Sequence, residues 1–263
     1  MIGIVEKKNM SVFKKAIGLC IALTALVACG EKKVSDSKNL TMLTAADNPP
    51  FEFYQTGDDT KEIVGYDIDL AKKIADYLGY TLEIKDVDFS GIIPGLMHGR
   101  ADFAMAGISA TDERKKNVDF SDPYYSANNF ILTKSGSDFV QRTKYENNQV
   151  GVQLGSTQEE FAKLWVGSRP GVKIISLNKL GDIVQEVLAG RLDGAIMEET
   201  PANAYMNSSE NKLAIFPLQG NQDGASAIAF PKGSAKRDEF NQALQALKDS
   251  GFMDELAKKW LKK

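Results

Sequence analysis

The chain has 263 residues, 43% of them hydrophobic and 25% charged, with 32 Lys and Arg against 35 Asp and Glu and a formal net charge of −3. That apolar content excludes a disordered chain, and the lack of a basic excess argues against nucleic acid as a partner. One histidine, His98, and two cysteines, Cys20 and Cys29, leave too few ligands for a Cys/His zinc site, so no metal and no cofactor is expected.

Lys7, Lys8, Lys14 and Lys15 are followed by Ala16 to Ala28, a mostly apolar run of 13 residues. That is short of the roughly 20 needed to span a bilayer and suits the core of a signal peptide. The run ends in Leu26-Val27-Ala28-Cys29-Gly30, which resembles the bacterial lipobox. The resemblance implies cleavage before Cys29 and lipidation of that cysteine. Residues 1–28 are therefore expected to be a signal peptide, and the polar, Ser- and Lys-rich residues 29–39 a lipidated linker. Residues 29–263 number 235 and carry 28 basic and 34 acidic side chains, with neither a free thiol nor a disulfide once Cys29 is acylated. No later segment approaches the roughly 18 consecutive apolar residues of a membrane span. The expectation is an exported soluble body tethered by lipid to the periplasmic or cell-surface side of a bacterial membrane.

After the linker, Leu40 to Thr44 reads as a strand and Asp47-Asn48-Pro49-Pro50 as a turn. Leu70, Ala71, Ile74, Ala75 and Leu78 fall at helical spacing, with Asp67 placed to cap the start and Gly79 the end. Thr81 to Ile84 is predicted as a strand, Gly91 to His98 as a helix and Ala101 to Ala106 as a strand. The alternation then repeats: strand Gln149–Val152, helix Thr157–Trp165, strand Val172–Leu177, helix Gly181–Ala189 and strand Gly194–Met197. A strand over Ala225–Phe230 and a helical tail over Lys236–Leu261, broken at Gly251, complete the reading. Alternating strands and helices predict α/β layers on mostly parallel sheets.

Two segments correspond: Leu96 to Ala104 and Val187 to Ala195 each run helix, Gly-Arg-x-Asp, apolar strand. A repeat about ninety residues apart predicts two similar lobes. In open α/β sheets, ligands meet the carboxyl ends of the strands. Five residues beyond Asp102 lies Gly107, which opens the stretch Gly107 to Arg114; five beyond Asp193 lies Glu198. One lobe thus offers hydrogen-bond donors and a guanidinium, the other a carboxylate, an arrangement that suits a zwitterion held between them.

Several ordered motifs carry a family resemblance: Pro49-Pro50-Phe51-Glu52-Phe53, Gly65-Tyr66-Asp67-Ile68-Asp69-Leu70, Asp88 to Pro94, Ala106 to Arg114, Val118 to Tyr124 and Gly151 to Gln158. Together they resemble the family 3 extracytoplasmic solute-binding proteins of polar amino-acid ABC importers, and are similar to the glutamine and lysine/arginine/ornithine binders. The resemblance implies a periplasmic-binding-protein-like α/β fold of two lobes. Lobe 1 would be 40–127 plus 223–263, and lobe 2 would be 128–222. Two crossovers, near Ala127–Leu132 and Gln219–Ala227, would close the lobes on ligand. It also implies a monomer that delivers a polar L-amino acid to a membrane permease and its ATPase.

Roles follow motif by motif from the same resemblance. Arg114 would clamp the ligand carboxylate; Ser109 and the backbone of Gly107 would add hydrogen bonds, and Thr157 would offer an N–H at a helix N-terminus. Glu198 would hold the ammonium and Phe89 would wall the ligand side chain. Asn48 stands where the family often has Tyr or Phe, which implies a roomier or more polar pocket. Ala45 departs from an Asp common in glutamine and basic amino-acid binders, and Asp47, Glu52, Phe53 and Tyr66 are further candidates. Two rival readings are a cyclohexadienyl dehydratase-like enzyme on the same fold, which needs a placed proton donor, and a ligand-sensing lipoprotein without a transport role. His98, at a helix end, is predicted to lie away from the cleft.

Overall fold

The computed structural model describes residues 39–55, 61–126, 128–142, 144–218 and 225–261. The expected signal peptide, Cys29 and most of the expected linker lie outside the described residues, as does part of the second expected crossover. The first part of the chain forms β1 (Asn39–Thr44), β2 (Asp47–Asn48), β3 (Glu52–Tyr54), β4 (Ile63–Val64), α1 (Tyr66–Leu78), β5 (Thr81–Asp86), α2 (Ile92–Met97), β6 (Phe103–Ala104), α3 (Asp112–Lys115) and β7 (Val118–Phe120). The middle forms β8 (Tyr125–Ser126), β9 (Asn129–Lys134), β10 (Asn148–Gln153), α4 (Thr157–Gly167), β11 (Val172–Leu177), α5 (Leu180–Leu188), β12 (Gly194–Glu198), α6 (Glu199–Ser208) and β13 (Leu213–Pro217). The chain returns through β14 (Ala225–Ser226) and β15 (Ala229–Pro231) and ends in α7 (Lys236–Asp249) and α8 (Phe252–Trp260).

Two five-stranded sheets organise these elements, in the orders β5-β1-β6-β15-β7 and β11-β10-β12-β9-β13. In each, a central strand pairs in parallel with two neighbours: β1 with β5 and β6, and β10 with β11 and β12. One reversed strand, β15 in the first sheet and β9 in the second, then pairs antiparallel on both sides, with β6 and β7 and with β12 and β13. The sheets are thus mixed rather than mostly parallel. The difference comes from β15 and β9, strands next to passages between the sheets, which the helix–strand alternation did not reveal.

Both sheets are buried on both faces, as helix-covered parallel strands require. Leu40 and Met42 of β1 pack with Ile68 and Ile74 of α1 and Phe240 and Leu244 of α7, whereas Leu43 turns to Ile92 and Leu96 of α2. The alternation along one strand follows from its two-residue period. In the second sheet, Ile131, Val150 and Ile196 meet Phe139 and Trp165, while Leu132, Ala195 and Met197 meet Ile183, Val184 and Val187 of α5.

The Gly-Arg-x-Asp repeat has one structural meaning in both sheets. Asp102 accepts the Thr41 N–H at 2.8 Å, and Asp193 accepts the Gln149 N–H at 2.7 Å. Each carboxylate therefore binds the backbone of the neighbouring central strand and helps fix its register.

Other expectations change. Asp67 does not cap α1; Gly65 is the capping residue, and the Asp67 side chain is buried, accepting from Tyr124 and Gly107. The expected strand Ala225–Phe230 is split, because Ala227 donates its N–H to Ile108 at 3.0 Å between the β8–β14 pair and β15. α6 falls outside the predicted elements; Pro201 sits in its first turn, where a missing N–H costs nothing. The break at Gly251 and the left-handed Gly79 cap match expectation, with φ of 79° and 76°.

Candidate functional site

The strands β6 and β12 end at a common cleft. Asn48, Phe89, Gly107 and Arg114 line it from the first sheet's side, and Gln153, Thr157, Leu180 and Glu198 from the second. The two walls stand close together and leave about 30 Å³ between them.

Arg114 lies in α3, whose start is capped by Thr111 Oγ1 accepting the Arg114 N–H at 3.2 Å. The short helix turns the guanidinium inward. Its Nη1 donates to the Ser109 carbonyl at 3.0 Å, and its Nη2 crosses to the Gly155 carbonyl, also at 3.0 Å. Phe89 stacks under it, with the guanidinium carbon 5.4 Å from the ring centroid. Burial pushes the group down to about 10, still cationic at neutral pH.

Glu198 is the last residue of β12 and is 9% exposed. Burial, reinforced by the charge of Asp67, raises its carboxyl to about 8. Among the described residues neither Arg114 nor Glu198 enters an ion pair. The cleft therefore carries a half-buried cation and a buried acid, each without a charged protein partner among the described residues, an arrangement that a ligand of complementary charge would complete.

The remaining expected site residues fall as follows. Ser156 caps α4 through its Oγ, which accepts from Glu159 at 3.1 Å, and Thr157 is the first helical residue, facing the cleft. Asn48 lines the cleft and donates its Nδ2 to Glu52 Oε1 at 2.9 Å. Gly107 has φ of 57°, and a Cβ there would come within 3.3 Å of Asn48 Nδ2. Its N–H is taken by Asp67 at 3.2 Å, so only its carbonyl remains for another partner. Ser109 is 2% exposed and does not line the cleft; its carbonyl steadies Arg114 from beneath. Tyr66 packs among Phe51, Tyr124 and Tyr125, and Phe53 meets Trp260 at 6.0 Å; neither lines the cleft. His98 is exposed at the end of α2 and also stands apart.

Hydrogen bonds between the two walls went largely unanticipated. Asp47 Oδ2 accepts the Leu180 N–H at 2.8 Å, and the Asp47 carbonyl accepts the Tyr205 hydroxyl at 2.7 Å. Gln153 Nε2 also donates to Asp47, at 3.3 Å, and Asn178 Nδ2 donates to Asp88 at 3.0 Å. Burial raises the Asp47 carboxyl to about 6. Sequence offered Asp47 only as a candidate, and nothing local links it to partners more than a hundred residues away.

Residues 40–263 match the family model of bacterial extracellular solute-binding proteins, family 3. The arginine-binding extracellular protein ArtP of Bacillus subtilis (strain 168) is 40% identical over 248 residues, spanning 93% of this chain and 95% of that protein. The structure of an ancestral arginine-binding protein bound to arginine is 37% identical with a TM-score of 0.78, covering 86% of this chain and 99% of its own. An ancestral amino-acid-binding protein, AncCDT-1, described as a precursor of cyclohexadienyl dehydratase, is 33% identical with a TM-score of 0.76, covering 86% of this chain and 96% of its own.

Proposed function

The chain belongs to the bacterial extracellular solute-binding proteins, family 3, and from that premise we propose that the cleft between its sheets captures a cationic L-amino acid, with L-arginine the first candidate. The protein is an exported solute-binding component of an amino-acid ABC importer. The observation that carries the ligand reading is a half-buried guanidinium, Arg114, and a buried carboxyl, Glu198, lining one cleft with no charged protein partner among the described residues. In this reading Arg114 clamps the α-carboxylate and Glu198 the α-ammonium. Thr157 adds its N–H, Gly107 its carbonyl, Phe89 a wall and Asn48 a polar contact, with Ser109 supporting Arg114. The arginine-binding description of two similar proteins supports the ligand choice. So does the cleft's charge: Arg114 is its one Lys or Arg among the described lining residues, and it is committed to the carboxylate.

Lobe 1 is taken as 40–127 with 223–263 and lobe 2 as 128–222, a monomer closing about the passages between them. It acts without turnover in this reading: a dehydratase needs a proton donor against its leaving group, and the acid of this cleft, Glu198, is assigned to the ligand's ammonium while His98 lies outside the cleft. Titration calorimetry across the twenty L-amino acids tests the reading. L-arginine should bind best and, at about a hundredfold excess over Kd, stabilise the fold by about 2.7 kcal/mol. Failure of every amino acid to bind would exclude it.

Glu198 makes that binding pH-dependent. Its acid is mostly protonated at pH 7 in the empty cleft, being raised to about 8. A bound ammonium favours the carboxylate, so binding releases a proton and affinity should rise as pH climbs from about 6 to 8. Glu198→Gln should flatten that slope in calorimetry, and an unchanged slope would remove Glu198 from the ammonium site.

We also propose that Cys29 carries the lipid anchor, on the strength of Leu26-Val27-Ala28-Cys29. Cys29→Ser should abolish labelling by a radioactive fatty acid in cells and leave ligand affinity unaltered. Continued labelling of the variant would exclude the assignment.

A further inference from the structure

Glu52 and Asp67 stand directly behind the cleft, and both are 0% exposed. They come from different elements, Glu52 opening β3 and Asp67 lying in the first turn of α1. Their carboxyl groups adjoin closely enough to act on one another, and among the described residues neither enters an ion pair. The titratable groups facing them are Asp47, Glu198, Tyr66, Tyr124 and Tyr205, none of them a cation. Two carboxylates in contact in a dry interior cannot both ionise, and a single proton between them turns repulsion into a hydrogen bond.

The donors around the pair decide where that proton sits. Asp67 Oδ2 accepts the Tyr124 hydroxyl at 2.7 Å and the Gly107 N–H at 3.2 Å. Glu52 Oε1 accepts only the Asn48 amide. The carboxyl that accepts more hydrogen bonds keeps the charge, which is Asp67. One oxygen on each residue, Glu52 Oε2 and Asp67 Oδ1, is buried with no hydrogen-bond donor among the described residues. A proton on Oε2 donated to Oδ1 satisfies both.

We propose that Glu52 is the protonated member of this pair and a positioning residue for specificity: its remaining oxygen holds the Asn48 Nδ2, so that Asn48 offers the cleft its carbonyl oxygen. An amide whose nitrogen is committed to a carboxyl oxygen cannot flip without facing oxygen to oxygen. The cleft wall at Asn48 then accepts hydrogen bonds and does not donate them. It favours ligand side chains that end in N–H groups, such as a guanidinium, over those that end in a carboxylate. This selectivity rests on the amino-acid reading of the cleft, whereas the location of the proton does not.

Two measurements on the full chain test this. The infrared spectrum at pH 7 should show, beside the band of Glu198 in the empty cleft, a protonated-carboxyl carbonyl band that is lost in Glu52→Gln and kept in Glu198→Gln, whether or not any ligand binds. Unchanged bands would overturn the assignment. Competition between L-arginine and L-glutamate gives the second arm. Glu52→Met frees the Asn48 amide and should narrow the preference for arginine at least about tenfold, some 1.4 kcal/mol. Glu52→Gln, which keeps both the donor to Asp67 and the acceptor for Asn48, should restore most of the preference. If Glu52→Gln loses the preference as fully as Glu52→Met, the negative charge of Glu52 is what matters and the proposal fails. If the parent binds no amino acid, the ligand reading fails and the infrared arm alone decides the proton.

Discussion

Arg114→Ala should cost about 2–5 kcal/mol of ligand binding, because it leaves a desolvated ligand carboxylate without its cation. The folded state should tolerate the change. Among the described residues the guanidinium has no carboxylate partner whose burial would be left uncompensated, and its bonds to the Ser109 and Gly155 carbonyls are offset by relief of its own desolvation. Arg114→Lys should recover only part of the loss. A lysine ammonium is a point charge and cannot serve two carbonyls and a bidentate carboxylate at once. Calorimetry with L-arginine and the melting temperature of the unliganded variants separate binding from folding. Nearly parental affinity in Arg114→Ala would place the carboxylate site elsewhere.

Gly65→Ala should cost about 3–5 kcal/mol of stability, through close contact and backbone strain together. Gly65 has φ of 138°, and a Cβ there would stand 2.1 Å from the Phe51 carbonyl oxygen and 2.8 Å from that of Pro50. Those same carbonyls accept the Asp67 and Tyr66 N–H groups, both at 2.9 Å, so the loop cannot retreat without releasing the start of α1. Because Asp67 holds the Gly107 N–H, displacement of that helix end should also loosen the cleft floor. Chemical denaturation measures the stability change. A loss below about 1 kcal/mol would show that the loop adapts.

Local pattern made much of this molecule legible. The Gly-Arg-x-Asp pair pointed to two similar sheets because the same connector meets the same demand in each, an aspartate bound to the central strand's backbone. Counting from those aspartates to Gly107 and Glu198 worked because strand length sets where the carboxyl ends lie. The contacts that could not be read were long-range or hidden by burial. Asp67 carried a cap's signature, yet its carboxylate turns inward to Tyr124, a partner 57 residues away. Asp47 reaches Leu180, and Tyr205 reaches back to Asp47, across the cleft, where chain topology alone makes them neighbours. β9 and β15 belong to their sheets through pairings with distant strands, so a helix–strand alternation could not announce them.

The most direct test of the central claim is a crystal structure of the protein grown with L-arginine. The ligand should lie between the two sheets, its carboxylate paired with both terminal nitrogens of Arg114 and its ammonium on Glu198. A ligand bound outside that cleft, or bound within it with the carboxylate away from Arg114, would contradict the account.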